Sequence, residues 1–194
     1  MGSGSGTEHW QRVARRVRVP LGFVTAAIFL IFARPEPRWI GASLVIVLPG
    51  LWLRAYAAGY VKKNAELTRT GPYAYTRNPL YLGSMLIAFG FAVAAGRLWL
   101  GLLLVGLFLA IYWPTILSEE DFLRGEFAGF NEYARAVPRL LPRLTPARFQ
   151  ASHGVGAGRF SAERYRHHRE YNALMGAAAL YIALLLRMWC MHKR

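Results

Sequence analysis

The chain has 194 residues, 55% of them hydrophobic, and a formal net charge of +14, a combination that a soluble domain of this size seldom shows. Its basic residues lie beside long apolar runs, where anionic lipid headgroups attract them at about 1 kcal/mol each, so membrane anchoring rather than nucleic-acid binding accounts for the charge. The lone Cys190 excludes an internal disulfide and a cysteine-based metal cluster.

In chain order, residues 1–11 read as a flexible tail. Arg12, Arg15, Arg16 and Arg18 precede a first apolar run, Val19 to Ala33, which has no clean small-x-small site after it and reads as an uncleaved anchor. A tight turn follows at Arg34-Pro35-Glu36-Pro37-Arg38. Trp39 to Tyr60 and Leu98 to Leu117 are long enough, at about 1.5 Å per residue, to cross a hydrocarbon core of roughly 30 Å. Val19 to Ala33 and Leu80 to Ala95 are shorter and reach the interface with the help of snorkelling arginines. Beyond Leu117, Phe122, Leu123, Phe127, Phe130, Tyr133 and Val137 recur at helical spacing, which predicts an amphipathic helix lying on the bundle or the lipid interface.

Residues 147–161 read as a linker, Ala162 to Tyr171 as a basic helix, and Ala173 to Leu186 as a last apolar run that either spans or re-enters the membrane. The expected fold is therefore all-α: a multi-pass membrane helix bundle of four to five transmembrane helices with a cytoplasmic amphipathic helix. Its core covers residues 12–146, and residues 162–194 form a C-terminal unit. Lys62, Lys63, Arg69, Arg77 and the arginines from Arg124 to Arg169 fall on one side of the spans, against Arg34, Arg38 and Arg97 on the other. Positive charge marks the cytoplasmic side, so the N-terminus and the polar loops are expected there, at the inner (plasma) membrane in a prokaryote.

Two polar segments on that side can carry chemistry. Asn78-Pro79 is a helix start, with Asn expected to cap the first amides and Pro fitting the first helical position. The same helix end presents amides and a positive dipole to an anionic group. Tyr73, Tyr75 and Tyr81 surround it, as an interfacial belt or as an adenine-stacking wall. Glu119-Glu120 lies at a membrane boundary, where acids need partners or water. Adjacent helical residues point about 100° apart, so at most one of the pair faces a given pocket. Arg54, inside the second span, reads by default as a snorkelling side chain, with a substrate-facing role as the alternative. His153, His167 and His168 lack metal-ligand spacing, and no metal is expected.

Gly71-Pro72-Tyr73-Ala74-Tyr75-Thr76-Arg77-Asn78-Pro79-Leu80-Tyr81-Leu82-Gly83 resembles the G-P-Y-x-Y-x-R-H/N-P-x-Y-x-G signature of the isoprenylcysteine carboxyl methyltransferase family. Glu119-Glu120, Phe127, Tyr133 and Val137-Pro138-Arg139 resemble its second block. Asn78 stands where that family commonly has His, a form also similar, through Ser84, to phospholipid N-methyltransferases. Ala128 and Phe130 depart from the second block.

The resemblance implies a membrane methyltransferase that uses S-adenosylmethionine, with a donor pocket open to the cytoplasm and a lipophilic or lipid substrate entering from the bilayer. Carried over, Tyr73, Asn78, Pro79, Tyr81 and Gly83 form one wall of the donor pocket. Glu119 or Glu120 holds the donor's ammonium or ribose, and Tyr133 closes the lid. Arg139 pairs with one of these acids or with a substrate carboxylate, which makes Arg139 and Glu120 the catalytic candidates. The acceptor is an isoprenylcysteine-like carboxylate or, alternatively, a phospholipid amine. From another class, a non-catalytic protein binding lipids or a partner through its basic surface accounts for the charge as well.

Overall fold

The computed structural model describes residues 24–61, 66–149 and 159–193. The basic residues Arg12 to Arg18, the start of the first apolar run, Lys62, Lys63, His153 and most of the expected linker lie outside them.

The described residues are helical and carry no strand. Helix α1 covers residues 24–32, and α2 runs Pro37–Tyr60. After a 3-10 turn at Gly71–Ala74 come α3, Pro79–Ala94, and α4, Leu98–Glu126. The short α5, Phe130–Ala136, and α6, Ala162–His167, precede α7, Tyr171–His192. Helices α2, α4 and α7 are long and apolar enough to cross a membrane. Helix α3, with 16 residues, is shorter, and it packs between α2 and α4.

Small residues set the closeness of α2 and α3, as is usual where helices associate without a hydrophobic driving force between them. A Cβ on Gly83 would stand 2.8 Å from the Gly50 carbonyl oxygen and 2.7 Å from Arg54 Cγ. Gly90 is crowded in the same way by Val47 and Ser43.

At one end of the bundle Phe29, Phe91 and Leu184 are buried together with Val47 and Leu100. The Tyr181 hydroxyl meets Ser43 Oγ at 2.8 Å, while Ser43 Oγ donates to the Ile40 carbonyl at 2.7 Å. Arg187 of α7 donates to the Ala33 and Ile31 carbonyls at 2.7 and 2.6 Å, satisfying acceptors that the end of α1 leaves free. An arginine inside an apolar run thus has a defined partner.

Three boundaries differ from expectation. Helix α4 continues past Leu117 to Glu126, because Glu119, Glu120, Leu123 and Arg124 are all good helix formers. The expected amphipathic helix is consequently split: Phe122 and Leu123 belong to α4, the chain is extended at Phe127, and α5 starts only at Phe130. The basic helix stops at His167, after a start capped by Ser161 Oγ accepting from the Arg164 amide at 3.3 Å. Arg169 then takes φ 51, and Tyr171 opens α7 instead of closing α6. The last apolar run lies within α7, whose 22 residues are of spanning length.

Candidate functional site

The helices α2 and α4 end, and α3 and α7 begin, at the opposite end of the bundle from that apolar core. Here a second cluster buries Phe130, Tyr133 and Val137 against Leu67, Leu123, Phe127 and Phe149. The chain after α5 lies along the loop that feeds α3. The Arg77 amide donates to the Pro138 carbonyl at 2.9 Å, the Arg143 amide to Tyr75 at 2.9 Å and the Ala147 amide to Ala74 at 2.9 Å. Thr76 Oγ1 donates to the Arg139 and Leu140 carbonyls at 3.2 and 3.0 Å. The opening loop and the Val137-Pro138-Arg139 block, far apart in sequence, are thereby joined into one support.

Asn78 sits at the N-cap position of α3, yet its side chain makes no cap hydrogen bond. The expected capping role does not hold: the side chain is oriented by its Nδ2, which donates to Glu120 Oε1 at 3.0 Å and to the Arg139 carbonyl at 3.0 Å, and its Oδ1 makes no cap bond. The start of α3 thus keeps amides that no side chain caps, at the positive end of its dipole.

Glu120 is the centre of the site. Its side chain is only 3% exposed, whereas Glu119 is exposed; the roughly 100° between neighbours on a helix decides which acid turns inward. Arg139 Nε donates to Glu120 Oε2 at 3.0 Å, and Arg77 Nη1 approaches the same oxygen at 3.5 Å. One carboxylate therefore faces two guanidinium groups and an amide, which offsets the desolvation of a buried charge and leaves an excess of positive charge.

Arg77, with 11% of its side chain exposed, has a buried Nε without a hydrogen-bond partner. Burial pulls its pKa below the ordinary value, opposed by Glu120. Arg77 also lies 6.0 Å from the Phe130 ring centroid, and Arg139 lies 5.7 Å from that of Trp113, distances at which an aromatic face attracts a cation.

The aromatic residues complete the surroundings. Tyr133 is buried under the opening loop, and its hydroxyl donates to the Tyr73 carbonyl at 2.8 Å. Burial raises the pKa of both phenols, with further upward pushes on Tyr73 from Tyr133, Glu119 and Glu170, so both hold their protons. Pro79 is buried, and Tyr81 is half-buried with its ring edge-on to Tyr112 at 5.7 Å. Phe108 stacks on Tyr112 at 4.4 Å. An aromatic column between α3 and α4 thus runs from the site toward the apolar part of the bundle.

The structure brings Tyr73, Asn78, Glu120, Tyr133 and Arg139 together, and Tyr81 stands beside them. Gly83 is instead taken up in the α2–α3 seam, under the Arg54 side chain. Arg54 does not snorkel: it pairs with Glu170 at 2.8 Å. Arg77 and Glu170 are site-end residues that spacing does not single out, whereas Arg54 is noted in the sequence for its place inside a span. The rule that flagged Glu119-Glu120, an acid at the edge of an apolar run, applies equally to Glu170 before α7.

Among the described residues no group of three or more His, Cys, Asp and Glu is placed to hold a metal ion. A cavity of about 380 Å³ lined by Leu30, Ala183, Arg187, Cys190 and Met191 lies at the other end of the bundle, where Arg187 is already committed to α1.

Residues 38–129 match the family described as phospholipid methyltransferase, a stretch that contains both Asn78 and Glu120. Over 152 residues the chain is 30% identical to the nickel-cobalt-cadmium resistance protein NccN of Alcaligenes xylosoxydans xylosoxydans, covering 74% of this chain and 70% of that one. Over 153 residues it is 31% identical to the cobalt-zinc-cadmium resistance protein CzcN of Cupriavidus metallidurans, covering 74% and 69%. No solved structure is a significant match.

Proposed function

This chain belongs to the phospholipid methyltransferase family, and we propose that it is an S-adenosylmethionine-dependent methyltransferase that modifies a lipophilic acceptor at the membrane surface. The observation that carries this reading is the buried Glu120, shared by Asn78, Arg77 and Arg139 beside the uncapped start of α3.

The residues present fit the methyl donor. Its amino-acid part bears an ammonium and a carboxylate; Glu120 suits the first, and the unpartnered Arg77 Nε with the α3 amides suits the second. Tyr73 and Tyr81 supply ring faces for the adenine, and Tyr133 holds the loop that carries Tyr73. When bound, the donor supplies an activated sulfonium methyl. The protein's part is then alignment and exclusion of water, and well-oriented groups gain roughly 7 to 11 kcal/mol in this way. Arg139, 35% exposed, turns one edge toward solvent while its Nε orients Glu120, and it is placed to steady an anionic acceptor.

A carboxylate acceptor needs no base, which suits a site whose surplus charge is positive, and an isoprenylcysteine-like carboxylate is the preferred reading. The family match favours the alternative, a phospholipid amine, which must lose a proton first. Alkali separates the two products, since a methyl ester is cleaved and an N-methyl group is not. The excess of arginines at the site end supports a cytoplasmic location for it. A role in metal resistance, as named for the two relatives, is on this reading exercised through a modified lipid.

Calorimetric titration of the purified full-length protein with S-adenosylhomocysteine tests the donor site. Saturable binding that weakens in Glu120→Gln and Tyr81→Ala is expected. Unchanged affinity in both variants refutes the site, and no binding by folded wild type refutes the function.

A further inference from the structure

Residues 159–193 lie beyond the matched family stretch, yet several reach the site end of the bundle: Ser161 and Arg164 bond the Gly59 carbonyl of α2, and Glu170 reaches Arg54. Glu170 occupies the N-cap position of α7 without capping it. Its carboxylate instead grips Arg54 of α2: Arg54 Nε donates to Oε2 at 3.0 Å, and Nη2 to Oε1 and Oε2 at 3.0 and 2.8 Å. The two side chains are 24% and 13% exposed, so neither is freely solvated.

The remaining arm of Arg54, Nη1, donates to Ser84 Oγ, and Ser84 Oγ donates to the Leu80 carbonyl at 3.0 Å. Leu80 stands in the first turn of α3, two residues after Asn78. The Arg54 stem lies over Gly83, where any Cβ would collide with it. A continuous polar chain thus connects Glu170, just ahead of α7, to the helix start that builds the site. Glu170 also lies near enough to Tyr73 to act on its phenol.

A guanidinium offers its donors in a fixed fork. With Glu170 engaging the Nε and Nη2 edge in bidentate fashion, Nη1 has one direction left, and that direction is Ser84. Without the carboxylate, Arg54 is free to turn toward water, and the first turn of α3 loses its brace.

We infer that Glu170 is a positioning residue of the donor site, holding Arg54 against Ser84 and so fixing the first turn of α3 from outside the matched family stretch. The inference rests on the donor reading above, since it is the donor that the first turn of α3 is said to meet.

The test uses full-length protein in lipid nanodiscs, as wild type, Glu170→Gln, Glu170→Asp and, as a control for general loosening, Gly90→Ala in the α2–α3 seam. Hydrogen exchange is followed over residues 78–84 and binding is titrated with S-adenosylhomocysteine. Glu170→Gln is expected to exchange faster in that stretch and to bind about tenfold more weakly, the scale on which residues remote from a ligand modulate its binding. Glu170→Asp, which keeps the charge, is expected to recover part of both. Wild-type exchange and affinity in Glu170→Gln overturn the inference alone, as does a loss no larger than that of Gly90→Ala at the same fall in melting temperature. A folded wild type that binds no S-adenosylhomocysteine overturns the donor reading and this inference with it.

Discussion

Replacing Glu120 with alanine leaves Arg77 and Arg139 facing each other's charge with nothing between them. Removing one partner of a buried ion pair destabilises by about 3–5 kcal/mol. Here the low end applies, because Arg139 is 35% exposed and can turn to water, while Arg77 at 11% cannot. About 3 kcal/mol in a chain of this size lowers the melting temperature by about 6–12 °C. The adjacent Glu119, being exposed, is the natural control, with an effect within about 0.5 kcal/mol. Thermal unfolding of the detergent-solubilised protein, followed by tryptophan fluorescence, reads both. The origin of the loss is checked by adding Arg77→Met to Glu120→Ala, which removes the stranded charge and should recover part of the stability. Equal melting temperatures for Glu119→Ala and Glu120→Ala, or no recovery in the double variant, refute the buried charge cluster.

Three further outcomes follow from the same geometry. Gly83→Ala forces α2 and α3 apart at Gly50 and Arg54, and an overpacked seam loses about 1–3 kcal/mol, read as a lower melting temperature. Tyr133→Phe deletes the hydrogen bond to the Tyr73 carbonyl and should cost about 1 kcal/mol while loosening the opening loop, seen as faster hydrogen exchange at residues 71–76. Tyr73 and Tyr133 have pKa values raised above the ordinary 10.0, so the native state keeps protons that the unfolded chain gives up. The stability they contribute is complete below that value and is lost as pH climbs above it. Alkaline titration should show these phenols ionising only together with unfolding, and normal titration of all tyrosines in the native state would contradict their burial.

The two long apolar runs were readable because a membrane solvent demands uninterrupted hydrophobic length, and α2 and α4 contain both. That α4 continues past Leu117 was not readable from hydropathy, since nothing between Ser118 and Arg124 breaks a helix and the first weak helix former is Gly125, next to its end. The opening motif locates the helix start at Pro79 but not the Asn78 side chain: capping is a local preference, and a buried carboxylate and a carbonyl from distant segments orient the side chain through its Nδ2 instead. The Glu119-Glu120 pair stated its own ambiguity, which burial alone resolves. Arg54 and Glu170 are separated by 116 positions, so no spacing rule joins them, although each is individually anomalous at a membrane boundary. Gly83, read through family resemblance as a pocket residue, instead makes room for the Arg54 side chain.

Methyl transfer from a donor held at Glu120 to a lipid acceptor is the function proposed for this chain. Purified protein in vesicles of native lipid extract, given S-adenosylmethionine labelled in its methyl group, is the most direct measurement. Label should appear in the lipid phase with wild type and fall sharply with Glu120→Gln at a temperature where that variant remains folded. A folded wild type that leaves all label in the aqueous phase, with the full lipid extract present, would contradict it.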